Sequence, residues 1–432
     1  MKVLLLGLGR ANLKVAEYLI KKGEEVYCYE ERMESLSESA KEILRQGKIK
    51  VFADIDYELV IASPGFPPQK EIIKKLKSKN TLIIDEIEWT FQTLKEPKVI
   101  AVTGTNGKST TAALVSQILK SAGIKNFLGG NIAPGKPFSE ALFEEEKEYY
   151  VLEVSSFQLT RIKKFRPYIG VLTNISLDHL NWHQNFEEYI KAKKNLFVNQ
   201  SSTDYAVLNF EDRIVRGIGR EVRSQVVFFG KRAKDGVWLN GEFHFQDEVI
   251  FEDKNIPLLG QHNRLNIMAG IGVAKILGIN NKKIEEGVKS FKPLKHRLED
   301  LGVINGVRYI NNSMCTNEVS AIESFKAVEG DKIIIVGGRE KGDNLENYLK
   351  LLIHSAKACV ILGENAEFIA QYFKQHKFFK YKIAKNMKEA VNFAREFAKN
   401  GDVIMLNPGF ASFGIFRDFL ERGEAFKDAV KH

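Results

Sequence analysis

Residues Val99–Thr111 read Val-Ile-Ala-Val-Thr-Gly-Thr-Asn-Gly-Lys-Ser-Thr-Thr, an aliphatic run feeding into a glycine turn and then a lysine and hydroxyls. That order suits the triphosphate of a nucleotide. Backbone N–H groups of Gly104, Thr105, Asn106 and Gly107 at a helix start face anionic oxygens. Lys108 reaches the β/γ oxygens, and the hydroxyl of Ser109 or Thr110 holds Mg²⁺. Walker spacing asks for glycine where Val102 stands; Gly104 supplies it instead, so the loop is a shortened variant. A polar strand-to-helix turn without a ligand is the alternative.

Further candidates follow other aliphatic runs. Glu153 ends one and is placed to complete a Mg²⁺ shell, since Mg²⁺ takes oxygen ligands and substrate phosphates; alone it also reads as a strand-end surface carboxylate. Asp178 and His179 follow the next run, in Asn174-Ile-Ser-Leu-Asp-His179. His183 stands four residues on, the spacing of a helical zinc pair, but without the glutamate of HExxH. Lys193 reads as a solvated helix lysine. Gly260-Gln-His-Asn-Arg-Leu-Asn266 offers His262, Asn263 and Asn266 as helix caps or as contacts to nucleotide and metal, and Lys295-His-Arg-Leu-Glu299 offers fixed cations. Near the N-terminus, Gly7-Leu-Gly-Arg-Ala-Asn12 starts like a dinucleotide turn but has Asn12 at the third glycine position. Glu30 is placed to accept from a ribose, and Ser63-Pro-Gly65 reads as a phosphate- or sugar-facing loop.

The elements that must carry these residues form three segments. From 1 to 95, strands at Val3–Leu6, Glu25–Tyr29 and Leu59–Ala62 alternate with helices at Asn12–Lys22 and Lys70–Lys77, which predicts a parallel sheet under helices. From 96 to 294 the rhythm repeats, with strands at Tyr149–Leu152 and Ile169–Thr173, a mostly antiparallel excursion at about 204–256 and a helix at Asn266–Leu277. From 295 to 432, strands at Lys332–Val336, Ala358–Leu362 and Val403–Leu406 predict a small doubly wound unit. The expected fold class is α/β in three domains: Rossmann-like, P-loop-type with a mainly parallel sheet, and Rossmann-like again.

With 432 residues, 44% hydrophobic and 28% charged, the chain has the composition of a soluble multidomain protein. No apolar run reaches the roughly 20 residues that span a bilayer, so no membrane insertion is expected. Three scattered cysteines suit a reducing cytoplasm. The net charge of +9 comes from lysines interleaved with glutamates, as in Glu71-Ile-Ile-Lys-Lys-Leu-Lys77, which argues for a solvated face and against nucleic acid. A monomer is expected.

In order, TGTNGKST at 103–110, GGN at 129–131, ExSSFQL at 153–159, NIxxDHL at 174–180, GQHNxxN at 260–266 and HRLE at 296–299 resemble the motifs of the Mur ligases. The resemblance spans essentially the whole chain, through Gly337-Gly338, Lys341-Gly342 and Pro408-Gly-Phe-Ala-Ser412. Ser63-Pro-Gly65 and Asp85-Glu-Ile-Glu88 resemble the D-glutamate-adding branch rather than the folylpolyglutamate synthases. The resemblance implies ATP-dependent amide formation between UDP-N-acetylmuramoyl-L-alanine and D-glutamate through an acyl phosphate, in the cytoplasm, for cell-wall synthesis. It implies a UDP-substrate domain at 1–95, an ATP domain at 96–294 and an amino-acid domain at 295–432.

By the same resemblance Gly9, Arg10, Glu30, Arg32, Ser63, Asn131 and Ser155 serve the UDP-substrate. The 104–110 loop, Asn266, Arg297 and Asn312 serve ATP, and Thr316, Lys341, Ser412 and Phe419 serve D-glutamate. Lys108, Glu153, His179 and Lys193 carry the chemistry. Ser109, Glu153, His179 and Lys193, the last as a carbamate formed with CO₂, hold two Mg²⁺ ions; Lys194 competes with Lys193 for that role.

The chain departs from the family pattern in its third segment. Asn312 and Met314 stand where an aspartate and a lysine are common, Arg339 replaces an aspartate, and Gly414 replaces another. One reading has Arg339 supplying the charge that Met314 lacks; the other is neutral variation. Competing functions are a related ligase for another amino acid, a non-catalytic nucleotide-sugar-binding paralogue and an NAD-dependent oxidoreductase.

Overall fold

The computed structural model describes every residue except 96, 133, 134, 180, 181, 340–344, 413 and 432. Its fold is α/β with mainly parallel sheets. Two compact units emerge, one of residues 1–254 with 265–290 and one of 255–264 with 291–432.

The first unit holds two sheets. β1 (Lys2–Leu6), β2 (Glu25–Tyr29), β3 (Lys50–Val51), β4 (Leu59–Ala62) and β5 (Ile83–Ile84) pair in parallel in the order β3-β2-β1-β4-β5. Val3–Leu6 and Val60–Ala62 are fully buried, because helices cover both faces of a parallel sheet and its central strands are aliphatic at every position. Asn12, where a dinucleotide fold has its third glycine, is buried. It donates to the carbonyls of Leu6 (3.1 Å), Gly7 (2.8 Å) and Ile61 (3.2 Å). Its amide therefore knits the turn to β4 at the position where glycine admits a helix close to the sheet.

The second sheet comprises β6 (Val99–Thr103), β7 (Asn126–Gly130), β8 (Tyr149–Glu153), β9 (Ile169–Leu172), β10 (Tyr205–Asn209), β11 (Gln225–Phe229), β12 (Val237–Leu239), β13 (Glu242–Phe245) and β14 (Glu248–Glu252). Its order is β14-β13-β12-β11-β10-β9-β6-β8-β7. β10 and β11 continue the parallel ladder, and only β12–β14 pair antiparallel. This corrects the expectation for 204–256: β-branched and aromatic composition signals a strand but not its direction, and Ala206–Leu208 are buried because β10 lies inside the sheet. Central β6 is flanked by β8 and β9, so the loops leaving these three strands lie side by side at one sheet edge.

Buried carboxylates fasten the two sheets together. Helix Glu86–Thr93 starts at Asp85, whose side chain caps the N–H of Ile87 (3.2 Å). Glu88 accepts from the backbone N–H groups of Lys163 (2.8 Å), Lys164 (2.8 Å) and Phe165 (2.9 Å), and Glu86 accepts from that of Ser139. Burial, with Asp85 as a like charge beside it, pushes the Glu86 carboxyl up to about 7. The folded chain thus holds this proton up to neutral pH, whereas the unfolded chain releases it near pH 4.3, so this group makes stability fall as pH rises between the two values. Glu86→Gln keeps the acceptor and removes the titration. It is expected to flatten the decline of Tm between about pH 5 and about pH 8; an unchanged slope in pH-resolved melting would contradict that.

In the second unit, β15 (Glu299–Ile304) and β16 (Val307–Asn311) form a hairpin. β16 then leads a parallel set with β17 (Lys332–Val336), β18 (Ala358–Ile361), β19 (Tyr381–Ile383) and β20 (Val403–Leu406). The order is β15-β16-β20-β17-β18-β19, so the loops after β16, β20 and β17 are neighbours.

Candidate active site

The loop after β6 is built on two glycines in conformations that side chains rarely adopt. Gly104 has φ +148° and Gly107 has φ +83°; a Cβ on the first would collide with Thr173 Oγ1, and on the second with Asn266 Oδ1. The loop after β9 braces it. The N–H of Asn106 donates to Asn174 Oδ1 (2.9 Å), Asn174 Nδ2 donates to the Asn106 carbonyl (3.0 Å), and the N–H of Thr105 donates to the Asn174 carbonyl (2.8 Å). Lys108 opens the helix Lys108–Ser121, and its ammonium donates to the Thr105 carbonyl (2.7 Å). Asn266, from the helix Gln261–Ile276, accepts from Thr111 Oγ1 (3.2 Å) and so lies against the loop. Gly107→Ala forces both positive φ and a collision. It is expected to weaken MgATP binding about tenfold or more, read as ATP KM and as loss of MgATP-induced thermal stabilisation; wild-type ATP affinity would contradict the loop's role.

Beside the loop, at the end of β8, Glu153 is buried, accepting from Ser109 Oγ and from Asn131 Nδ2 (3.3 Å). A hydroxyl and a carboxylate in contact at a helix N-terminus are the oxygen donors that Mg²⁺ takes from a protein when phosphates and water complete its shell. Among the described residues no cluster of three or more His, Cys, Asp or Glu side chains is arranged to hold a metal.

Lys193 has the least expected environment. It lies in the helix Phe186–Lys194, only 2% exposed, donating to the Gly104 carbonyl (2.6 Å) with its ammonium 4.5 Å from the Tyr189 ring centre. Burial foremost, and Lys108 next, drive its pKa well below the ordinary lysine value, against Asp178 and Glu153. Lys194 points elsewhere, half-buried and paired with Glu221. Tyr189 completes the arrangement, its hydroxyl 3.0 Å from Thr105 Oγ1.

His179, at φ +57°, lies 3.7 Å from Asp178 and packs edge-on against Phe157. His183 stacks on Phe157 as well and lies tilted against Trp182, with Nε2 2.9 Å from Ser156 Oγ. Burial, and then Lys193, push its pKa down to about 4, so it is a neutral ring in an aromatic cluster. Ser155 caps the short helix Ser156–Leu159 in a reciprocal box with Gln158.

The nucleotide-sugar candidates lie around the ends of β1, β2 and β4. Gly9 precedes the helix Arg10–Lys21, and Arg10 donates to the carbonyls of Gly135 and Ile132 (3.3 Å for the latter). The Glu30 carboxylate accepts from the N–H groups of Leu8 (3.0 Å), Glu31 (2.9 Å) and Arg32 (3.2 Å), so it holds the β2 end against the first turn. Ser63 begins a tight turn closed by the Phe66 N–H (3.1 Å).

In the second unit, buried Arg422 donates to Ser313 Oγ (3.1 Å), the Ser313 carbonyl (2.7 Å) and the Phe410 carbonyl (3.0 Å). The Ser313 hydroxyl donates in turn to the Phe419 carbonyl (2.8 Å). The loops bearing Thr316 and Ser412 and the start of the last helix at Phe419 are thereby tied together. Lys341 lies outside the described residues. Asn312 is buried, its Oδ1 accepting from the Leu298 N–H (3.1 Å) and its Nδ2 donating to Asn407 (2.9 Å). Arg297 sits in the turn between His296 and Leu298, both at positive φ. Arg339 lies 3.5 Å from Glu364, which also fills the space beside Gly414.

Thr173, Asn174 and Tyr189 carry no site signal of their own in the sequence. Their signal is positional: all belong to, or pack on, the loop after β9, next to the phosphate loop once strand order is known.

Residues 102–274 match the Mur ligase middle domain, and 296–410 match the Mur ligase glutamate ligase domain. The UDP-N-acetylmuramoylalanine--D-glutamate ligase of Pelotomaculum thermopropionicum is 35% identical over 449 aligned residues, covering 99% of this chain and 97% of that protein. The enzyme of the same name from Alkaliphilus metalliredigens is 38% identical over 384, covering 87% and 84%. The crystal structure of UDP-N-acetylmuramate-alanine ligase from Thermotoga maritima superposes with a TM-score of 0.65 at 21% identity, over 100% of this chain and 99% of that one, a likeness of fold.

Proposed function

The chain belongs to the Mur ligase family, and from that premise we propose that it joins D-glutamate to UDP-N-acetylmuramoyl-L-alanine at the expense of ATP. The observation that carries this reading is the convergence of Lys108, Ser109, Glu153 and Lys193 on one phosphate-type loop in a chain similar end to end to ligases of that name.

In the proposed reaction a carboxylate oxygen of the alanyl group attacks the γ-phosphorus. The bond to the bridging oxygen breaks, and ADP leaves. The amine of D-glutamate then attacks the acyl carbon and loses a proton, and phosphate departs with the oxygen it took from the carboxylate. Lys108 and the N–H groups of residues 104–107 neutralise charge on the transferring phosphoryl group. Ser109 and Glu153 hold Mg²⁺, which when bound supplies positive charge at the phosphates. A second Mg²⁺ would be held by His179 and by Lys193 in its carbamate form.

Lys193 fits conversion to a carbamate. Its amine is buried beside another cation and favours the neutral, nucleophilic form, and attack on CO₂ with loss of a proton makes it an anion that attracts Lys108. We assign residues 1–95 to the nucleotide-sugar, 96–294 to ATP and 295–432 to the amino acid, with Thr316, Ser412 and Phe419 on loops held by Arg422. The reading includes a cytoplasmic monomer; among the described residues no helix is long and apolar enough to cross a membrane.

Phosphate release from MgATP and UDP-N-acetylmuramoyl-L-alanine tests this, comparing D-glutamate with L-glutamate, L-lysine and meso-diaminopimelate. Release with D-glutamate alone is expected. Release with another amino acid alone would move the chain to a related ligase, and Arg339 and Glu364 would be the first residues to vary. No release despite nucleotide-sugar binding would make it a binding paralogue.

A further inference from the structure

The turn Ser63-Pro64-Gly65-Phe66 follows β4, and three of its four carbonyls are held by side chains of the second sheet. Arg161, only 7% exposed, donates through one guanidinium nitrogen to the Ser63 carbonyl (3.1 Å) and through another to that of Phe66. Trp182 Nε1 donates to the Pro64 carbonyl (3.1 Å). Arg161 stands just beyond the short helix Ser156–Leu159, whose Gln158 side chain, three residues after the cap Ser155, meets the Asp85 carboxylate. Asp85 follows β5, the strand next to β4, is fully buried, and is the carboxylate whose charge Arg161 meets.

A guanidinium taken out of water needs donors satisfied and a counter-charge. Arg161 finds two carbonyls on one loop of the first sheet and the charge of an acid on the adjacent loop, so it clamps the Ser63–Phe66 turn from outside that turn's own sheet. We propose that Arg161 is a positioning residue for the nucleotide-sugar substrate, fixing the Ser63–Phe66 turn in its binding shape with Asp85 as counter-ion. Arg161 acts through the turn whose carbonyls it holds. The inference rests on the reading of the Ser63 turn as part of the UDP-substrate site.

The consequence is specific to one substrate. Loosening the turn weakens nucleotide-sugar binding in ground and transition states alike, which raises KM and leaves kcat at saturation in place. ATP meets the loop after β6, which Arg161 does not contact among the hydrogen bonds described.

The test compares wild type with Arg161→Met, Arg161→Lys, Asp85→Asn and the Asp85→Asn/Arg161→Met double variant. Binding of UDP-N-acetylmuramoyl-L-alanine to wild type by calorimetry comes first; absence of binding there would remove the reading of the site, separately from the clamp. Given binding, Arg161→Met is expected to raise KM for the nucleotide-sugar about tenfold or more, with KM for ATP and D-glutamate within about twofold and kcat within about threefold. Arg161→Lys is expected to recover part of the loss. The double variant is expected to cost little more than Arg161→Met, because the acid acts through the guanidinium. Unchanged nucleotide-sugar KM in Arg161→Met, or equal rises for all three substrates with a lowered Tm that Arg161→Lys does not correct, would overturn the proposal.

Discussion

Lys193→Met is expected to lower kcat by about 10²–10³-fold or more while the protein stays folded. Methionine matches the length and apolar stem of a side chain that is already buried against the Tyr189 ring, so little packing is lost. What disappears is an amine 2.6 Å from the Gly104 carbonyl, in the field of Lys108, Asp178 and Glu153. As a plain ammonium it would stand beside a second cation in a buried site, a costly arrangement; as a carbamate it would balance Lys108 and offer oxygens to a metal. Two readouts separate these states. Wild-type activity is expected to fall when CO₂ and bicarbonate are stripped and to return on adding bicarbonate, and ¹³C-bicarbonate is expected to give a carbamate resonance lost in Lys193→Met. Near-normal turnover in that variant, together with CO₂-indifferent wild-type activity, would refute the role.

The second large effect is expected from Glu153→Gln. The amide keeps the volume and an acceptor for Asn131, turns its NH₂ toward the Ser109 hydroxyl oxygen, and removes the negative charge at the end of β8. If Glu153 and Ser109 hold Mg²⁺, kcat should fall about 10²–10³-fold and the Mg²⁺ concentration for half-maximal activity should rise. Tm is expected to hold, since a buried carboxylate becomes a neutral group of the same shape. Activity lost with no change in Mg²⁺ dependence would assign the carboxylate a different task.

The phosphate loop was legible because its chemistry is local: glycine at 104 and 107 marks backbone that only glycine adopts easily, and the lysine and hydroxyl follow at fixed offsets. Glu153 was legible for a similar reason, standing where a buried aliphatic strand runs out. Lys193 was not legible from its neighbours. Lys191 and Lys194 flank it and face solvent, whereas Tyr189, Ala192 and Lys193 form the buried face of the same helix; which lysine turns inward depends on where the helix docks. Glu30 has a structural task that its position in the sequence does not reveal. It stands at the strand end where an acid meets a ribose in dinucleotide folds, yet its oxygens already accept three backbone N–H groups. The acids at 86 and 88 carry no periodic signal of burial, because their partners lie on segments of the other sheet. Strand direction beyond β9 was misread where composition alone had to serve.

The measurement that bears most directly on the proposed chemistry follows the oxygen. UDP-N-acetylmuramoyl-L-alanine labelled with ¹⁸O in its terminal carboxylate would be turned over with MgATP and D-glutamate, and the released phosphate analysed by mass spectrometry. Activation of the carboxylate by the γ-phosphoryl group predicts one ¹⁸O in each phosphate formed and one retained in the new amide. Phosphate free of label, released at the rate of amide formation, would contradict the account.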